Sequence, residues 1–152
     1  MFFDTHNHSQ FSFDGEGTTV EKSAIAAAEK GLGGICFSDH CDFYVPKMKE
    51  EFEPIVSEVF DVEAQQAEID RMNGLIANGA FGKAASKKFK IFKGIELGLG
   101  ENNHERTREL LSKHKFDQII ASVHYLEDTD PYFGPYFKGK NWKEAYGRYL
   151  ET

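Results

Sequence analysis

Short apolar runs alternate along this chain with longer segments in which apolar residues recur every three or four positions. Phe2-Phe3, Gly34 to Ser38 (GICFS), Lys90 to Ile95 (KIFKGI) and Phe116 to Val123 (FDQIIASV) have the length and character of strands. Between them, Thr18 to Lys30 predicts a helix, with Thr18 and Glu21 at capping-box spacing and Gly31 as its stop. The segment from Asp61 to Asn78 predicts a second helix, because Ile69, Met72, Leu75 and Ile76 fall on one face and Asn78-Gly79 breaks the pattern. Asn102 or Asn103 caps a third helix running to about His114, and a fourth begins at Trp142 and continues to Leu150.

The order β-α-β-α-β-α-β-α predicts an α/β fold with parallel strands and right-handed crossovers. An open doubly wound sheet and part of a (β/α) barrel both satisfy it. No G-x-G-x-x-G follows the first strand and no Walker A pattern is present, so nucleotide-binding open sheets lose support.

Chemistry gathers where the strands end. Asp4-Thr5-His6-Asn7-His8 follows the first, Asp39-His40 the second, Glu96 the third and His124 the fourth. In a parallel barrel these ends share one face. Imidazole and carboxylate together suit zinc, iron or manganese. In an extended His6-x-His8 both rings point the same way and can chelate one ion. Glu96 has two oxygens with which to bridge two ions, and Asp14 offers a hard oxygen at a turn marked by Asp14-Gly15. Asp4 reads as a residue that orients a histidine through its other nitrogen, and Asp39 reads the same way.

Each of these signals has a plainer reading. H-x-H arises by chance, a carboxylate after a strand is often a helix cap, Asp-Gly is a turn dipeptide, and Asp39-His40 can be a structural pair. The conjunction of the four carries the metal-site reading. His104 and His114 lie on a polar helix and are not counted. Lys83, Lys87, Lys88, Lys90 and Lys93 form either a basic patch or a solvated loop before a strand. The aromatic segment from Asp130 to Phe137 is either a wall of the site or a loop over the barrel rim.

Composition narrows the class. The chain has 152 residues, enough for one domain with a real core, and 14 Phe to fill it. The net charge of -7 speaks against nucleic acid or an anionic membrane as partner, but not against a phosphate ester held by cations. Only Cys36 and Cys41 are present, which predicts no disulfide framework and fits a reducing cytoplasm. The N-terminal MFFDTHNHS does not read as a signal peptide, and no apolar run reaches bilayer length.

DTHNHSQFSFDG, through Asp4, His6, His8, Ser12, Asp14 and Gly15, resembles the first motif of the PHP phosphoesterases (polymerase and histidinol phosphatase domains). FSDHCDF with His40, KGIELGL with Glu96 and SVHYL with His124 resemble the second, third and fourth, and DPYFGPYFKGKNWKEAYGRYLE resembles the histidinol-phosphatase branch. The resemblance implies a TIM-barrel-like (β/α)7 fold, of which about four βα units lie here, and two or three divalent metal ions (Zn, Fe or Mn). It implies that His6, His8 and Glu96 hold the first ion, Glu96 and His124 the second, and Asp14 and His40 the third, with His6, His8, Glu96 and His124 as the catalytic set. The implied reaction is hydrolysis of L-histidinol phosphate to L-histidinol and phosphate, in histidine biosynthesis.

The family's later G-H-x-D-type histidine and D-A-H pair have no match in the chain. Residues 1–152 therefore read as a single PHP domain that stops before the C-terminal strands, with a sheet edge open to homo-oligomerisation. A catalytically incomplete metal-binding fragment, or a phosphoesterase acting on another phosphate ester or nucleic acid, are the competing readings. No phosphate-clamping arginine is identifiable, since Arg71, Arg106, Arg108 and Arg148 all fall on predicted helices.

Overall fold

The computed structural model describes residues 1–43, 58–80, 88–100, 104–127, 129–131 and 135–151. Among the described residues, six strands and four α-helices follow one another as β1 (Phe3–Asn7), α1 (Val20–Glu29), β2 (Gly34–Phe37), β3 (His40–Asp42), β4 (Glu58–Val59), α2 (Val62–Ala77), β5 (Lys90–Gly98), α3 (His104–Lys113), β6 (Gln118–Ser122) and α4 (Trp142–Glu151). The expected Asn102 or Asn103 cap, together with Lys83, Lys87 and part of the aromatic segment after Asp130, lies outside the described residues.

β5 is the middle of the sheet. It pairs in parallel with β2 and then β3 along one edge, and with β6 along the other, while β1 pairs in parallel with β2. β2 and β3 are thus successive pieces of one line of chain, interrupted at Ser38-Asp39. The parallel strands lie side by side in chain order with no reversal, which is the arrangement of a barrel wall rather than of a doubly wound sheet. The two-residue β4 pairs antiparallel with β3.

Several boundaries differ from the sequence reading. β1 runs on through His6, and β5 runs on through Glu96 to Gly98, because its pairing with β3 and β6 continues past Ile95. His40 opens a strand of its own. The cap of α1 is Thr19, whose side chain accepts from the Lys22 N–H, while the Thr18 hydroxyl donates instead to the carbonyls of His8 and Gly15. α2 is as the pattern predicts, with Asp61 as its cap and Gly79 at φ 78° beyond its end.

Alternation along β5 sorts its two faces. Ile91, Ile95 and Leu97 turn to the helices, and Phe92, Gly94, Glu96 and Gly98 to the other side. On the helix side, Val20, Ala24 and Ala27 of α1 and Ile69, Met72 and Ile76 of α2 close over Ile35, Phe37 and Ile91. A second cluster joins Cys41, Phe60, Val62, Ile95 and Leu97, with Leu110 and Leu111 of α3 against it. Both cysteines are buried free thiols, pushed up to about 12, chiefly by burial.

β1 is bulged. Between Asp4 and Asn7 it advances three residues while β2 advances two. Phe3 packs edge-on against Phe92, with ring centroids 5.9 Å apart, and therefore lies on the face that carries Glu96. The extra residue brings His6 to that same face, where simple alternation would have turned it away. Among the described residues, no helix is long and apolar enough to cross a membrane.

Candidate metal centre

Three stretches of chain converge on Glu96. Its Oε2 lies 3.0 Å from His6 Nε2 and 3.1 Å from His8 Nε2, and its Oε1 lies 3.2 Å from His124 Nε2. Ser122 of β6 donates to Oε1 at 2.7 Å. His6 and His8 face one another, with Nε2 atoms 3.2 Å apart, as two rings on one side of an extended segment must. His40 stacks edge-on between His8 and His124, at centroid separations of 4.4 and 4.8 Å.

Asp14 closes the other side. Its Oδ2 lies 2.7 Å from His8 Nδ1 and 3.6 Å from His40 Nε2, and its Oδ1 accepts from Ser12 Oγ at 2.7 Å. The Asp14-Gly15 turn is tight. A Cβ built on Gly15 falls 1.7 Å from the Ser9 carbonyl oxygen, so only glycine lets the loop fold back on itself there.

Three sets of donors each lie within 4.8 Å of one another: His6, His8 and Glu96; His8, Asp14 and His40; and His40, Glu96 and His124. The six residues expected at the site are thus brought together, with His8, His40 and Glu96 each present in two sets. Imidazole nitrogens and carboxylate oxygens at this spacing fit divalent cations. His40 Nδ1 supports the fit, being buried without a hydrogen-bond partner and 3.7 Å from both Asp42 Oδ2 and Glu96 Oε2. Burial holds the His40 pKa below its ordinary value, against the pull of Glu96, which favours the neutral ring with one nitrogen lone pair to give.

The other groups are poised by their neighbours. Hydrogen bonding to Glu96 raises His8 to about 9, against burial and with help from Asp14. Burial depresses His124, but hydrogen bonds to Asp42 and Glu96 outweigh it and bring the ring up to about 9. Burial pushes Glu96 up, and the donors His124, His8, Ser122 and His6 overcome it, so the carboxylate stays ionised far below its usual range. Asp14 is likewise held low, Ser12 and His8 outweighing burial. A cation entering the cluster therefore exchanges for protons on His8 and His124.

Asp42 is the residue that sequence reasoning missed. It is 3 % exposed, and its Oδ1 and Oδ2 lie 2.9 and 3.0 Å from His124 Nδ1. This contact fixes the imidazole so that Nε2 faces Glu96. The signal was the second carboxylate of FSDHCDF, two residues after His40, but no strand was expected there to aim it.

The two residues expected to orient histidines do otherwise. Asp4 is exposed and has no hydrogen bond to a histidine, since the bulge comes after it and alternation turns it away from the face of Phe3. Asp39 is fully buried, and its carboxylate accepts from Ser9 N, Ser9 Oγ and Gln65 Nε2 rather than from an imidazole. His104 is exposed at the start of α3 and His114 lies just beyond its end, beside Phe116, both outside the cluster. Arg71 pairs with Glu68 and Arg106 lies over Phe43, so neither reaches the site.

A cleft of ≈ 470 Å³, lined by His6, Asn7, His8, Asp14, Gly15, Thr18 and Ser23, opens beside the cluster. His6 and Asp14 form its mouth, with side chains 49 % and 38 % exposed against 7 % for Glu96. Phe13, next to Asp14 in sequence, is exposed, its ring centroid 5.0 Å from that of His40.

Comparison with known proteins places this geometry. A family model described as PHP domain matches residues 4–152. The chain is 31% identical over 152 residues to a Clostridium acetobutylicum protein named "Probable histidinol-phosphatase", covering all of this chain and 51% of that one. It is 32% identical over 148 residues to the "Histidinol-phosphatase" of Lactococcus lactis subsp. lactis, covering 97% of this chain and 48% of that one. The crystal structure of histidinol phosphate phosphatase from Lactococcus lactis, complexed with Zn, L-histidinol and phosphate, superposes with a TM-score of 0.78 at 30% identity, over 99% of this chain and 51% of that chain. A crystal structure from Listeria monocytogenes superposes with a TM-score of 0.72 at 18% identity, over 98% of this chain and 58% of its own, and shares the fold. The chain thus spans about half the length of the relatives it matches.

Proposed function

The chain belongs to the PHP domain family, and from that premise we propose that it carries a cation cluster serving hydrolysis of a phosphomonoester, with L-histidinol phosphate as substrate. The observation that carries the proposal is Glu96, one carboxylate whose two oxygens face two different histidine sets. His6, His8 and Glu96 would hold one cation, and Glu96, His124 and His40 a second. Asp14 offers a third position with whichever of His8 and His40 is not held by the other two, since a neutral imidazole has one ring lone pair to give. Zinc, iron and manganese all suit the donors.

Divalent cations, when bound, acidify water and stabilise charge developing on phosphoryl oxygens. The chain's own residues supply the frame for that chemistry. Asp42 holds His124 in one tautomer by accepting its Nδ1–H. Ser122 fixes the rotation of the Glu96 carboxylate, and Ser12 that of Asp14. The cleft beside His6 and Asp14 admits the phosphoryl group, and the exposed Phe13 ring offers an apolar surface for the organic part of the ester. Residues 1–152 act in this reading as the N-terminal part of one PHP domain. The acidic net charge favours a small phosphate ester over a polynucleotide.

Two measurements test this. Elemental analysis of chelator-free protein is expected to find at least one equivalent of Zn, Fe or Mn per chain, lost in the His6→Ala/His8→Ala variant. Phosphate release from L-histidinol phosphate, set against a short DNA, is expected to favour the former. Metal without turnover would keep the centre and overturn the hydrolase reading for the 152-residue chain, and a preference for DNA would overturn the substrate.

A further inference from the structure

α2 buries a polar residue in its apolar stripe. Val62, Gln65, Ile69, Met72 and Ile76 are the positions it turns inward, and Gln65 is 0 % exposed. An amide in that position is unfavourable unless hydrogen-bonded. Gln65 Nε2 donates to Asp39 Oδ2 at 2.7 Å, with longer approaches of 3.4 Å to the carbonyls of Phe37 and Gly94.

Asp39, also fully buried, passes that contact on. Its Oδ2 accepts from Ser9 Oγ at 2.7 Å and its Oδ1 from Ser9 N at 2.5 Å. Its backbone carbonyl accepts from the Glu96 N–H at 3.1 Å. Ser9 follows His8, Asp39 precedes His40, and Glu96 is the hub of the cluster. Beyond α2, every segment in this chain of contacts thus carries one of the proposed cation donors. The loop is held further where the Ser9 carbonyl accepts from Ser12 N and Ser12 Oγ accepts from His40 N.

We infer that Gln65 is a positioning residue of the cation cluster, acting through the Asp39 carboxylate on Ser9 to set the spacing of His8, His40 and Glu96. The inference rests on the cation-cluster reading above and goes beyond it to a residue on a helix that touches no donor directly. Without its amide, Asp39 Oδ2 keeps only the Ser9 hydroxyl, and the carboxylate is free to rotate away from Ser9 N. The His8 loop then keeps only the Ser12–His40 contact as its hydrogen-bonded tie to β3.

Two readouts on the full chain test it, using Gln65→Met, which keeps the shape and removes the donor, and Ser9→Ala, which cuts the far end of the relay. The first is amide hydrogen exchange at Ser9 in metal-free protein, where Gln65→Met is expected to lower protection at least about tenfold while β2 and β5 amides stay protected. The second is Zn²⁺ affinity, measured by competition with a chromophoric chelator at a temperature where each variant is folded by circular dichroism. A loss of about 10–100-fold is expected for either variant, and little more for the two together, because both act through one carboxylate. A role in stability alone would lower the melting temperature and leave zinc affinity of the folded chain and Ser9 protection unchanged. That result in either variant overturns the inference. Should wild-type protein bind no Zn²⁺, the cation reading fails, and Ser9 protection still decides whether Gln65 positions the loop.

Discussion

Asp42 holds His124 from behind: both its carboxylate oxygens reach the ring's Nδ1, at 2.9 and 3.0 Å, while Nε2 looks towards Glu96. Removing the carboxylate frees the ring to turn. Asp42→Ala is expected to weaken Zn²⁺ binding about 10–100-fold, with fewer equivalents retained after dialysis. Unchanged zinc content would mean that His124 needs no such support.

Gly98 sits beside that pair. A Cβ there would lie 1.8 Å from Asp42 Oδ1 and 3.3 Å from His124 Nδ1. Gly98→Ala is expected to cost about 1–3 kcal/mol in denaturant unfolding and to weaken zinc binding together with it. Adding Asp42→Ala to Gly98→Ala relieves the clash, so the double variant is expected to recover stability but not affinity. Recovery of neither would place the strain elsewhere.

Glu96→Gln removes the charge that three histidines face. Elemental analysis is expected to show loss of metal from both sets that share it. Retention of full metal content would sink the bridging role. His104→Ala, on the exposed start of α3, is expected to change neither metal content nor turnover, which makes it the control for the histidines chosen.

The protonation states give the metal-free chain a characteristic pH profile. His8 and His124 are raised from 6.5 to about 9, so their contribution is complete below about 6.5 and fades as the pH climbs through about 9. Glu96 is depressed from 4.5, so its contribution is present above that value and is lost as the pH falls. Burial lowers His40, so that ring opposes folding as the pH falls below about 6.5. The melting temperature of metal-free protein is therefore expected to be highest near pH 6.5 and to decline both towards pH 9 and below pH 4.5. Zinc-saturated protein is expected to show the opposite trend over pH 6.5 to 9, because the cation takes the place of the protons. Parallel profiles for the two forms would show that the cation does not occupy the His8 and His124 nitrogens.

The four main parallel strands and the helices were legible because their apolar periodicities differ, and the site was legible because each strand empties into an imidazole or a carboxylate. What escaped had no periodic signal. The β1 bulge is one residue of mismatch between two strands, and only the partner reveals it. It decides that His6 joins the cluster while Asp4 does not. β3 has three residues, too few for a pattern, yet it aims Asp42. Gln65 counts as a polar position in any amphipathic reading of α2, and its burial follows from a carboxylate 26 residues earlier. The Asp39 partners were misread for the same reason, since adjacency to His40 suggested a pair that the strand geometry turns apart.

Glu96 meets His6 across 90 residues of sequence and His124 across 28. No short stretch of chain holds a complete donor set. His8, Asp14 and His40 lie within the first 40 residues, but the two sets that share Glu96 assemble only when β5 has found its place between β2 and β6. Contacts of such long reach form late in folding. The cluster is in this sense a certificate of completed topology, and a cation that binds it draws the population towards chains that have finished folding.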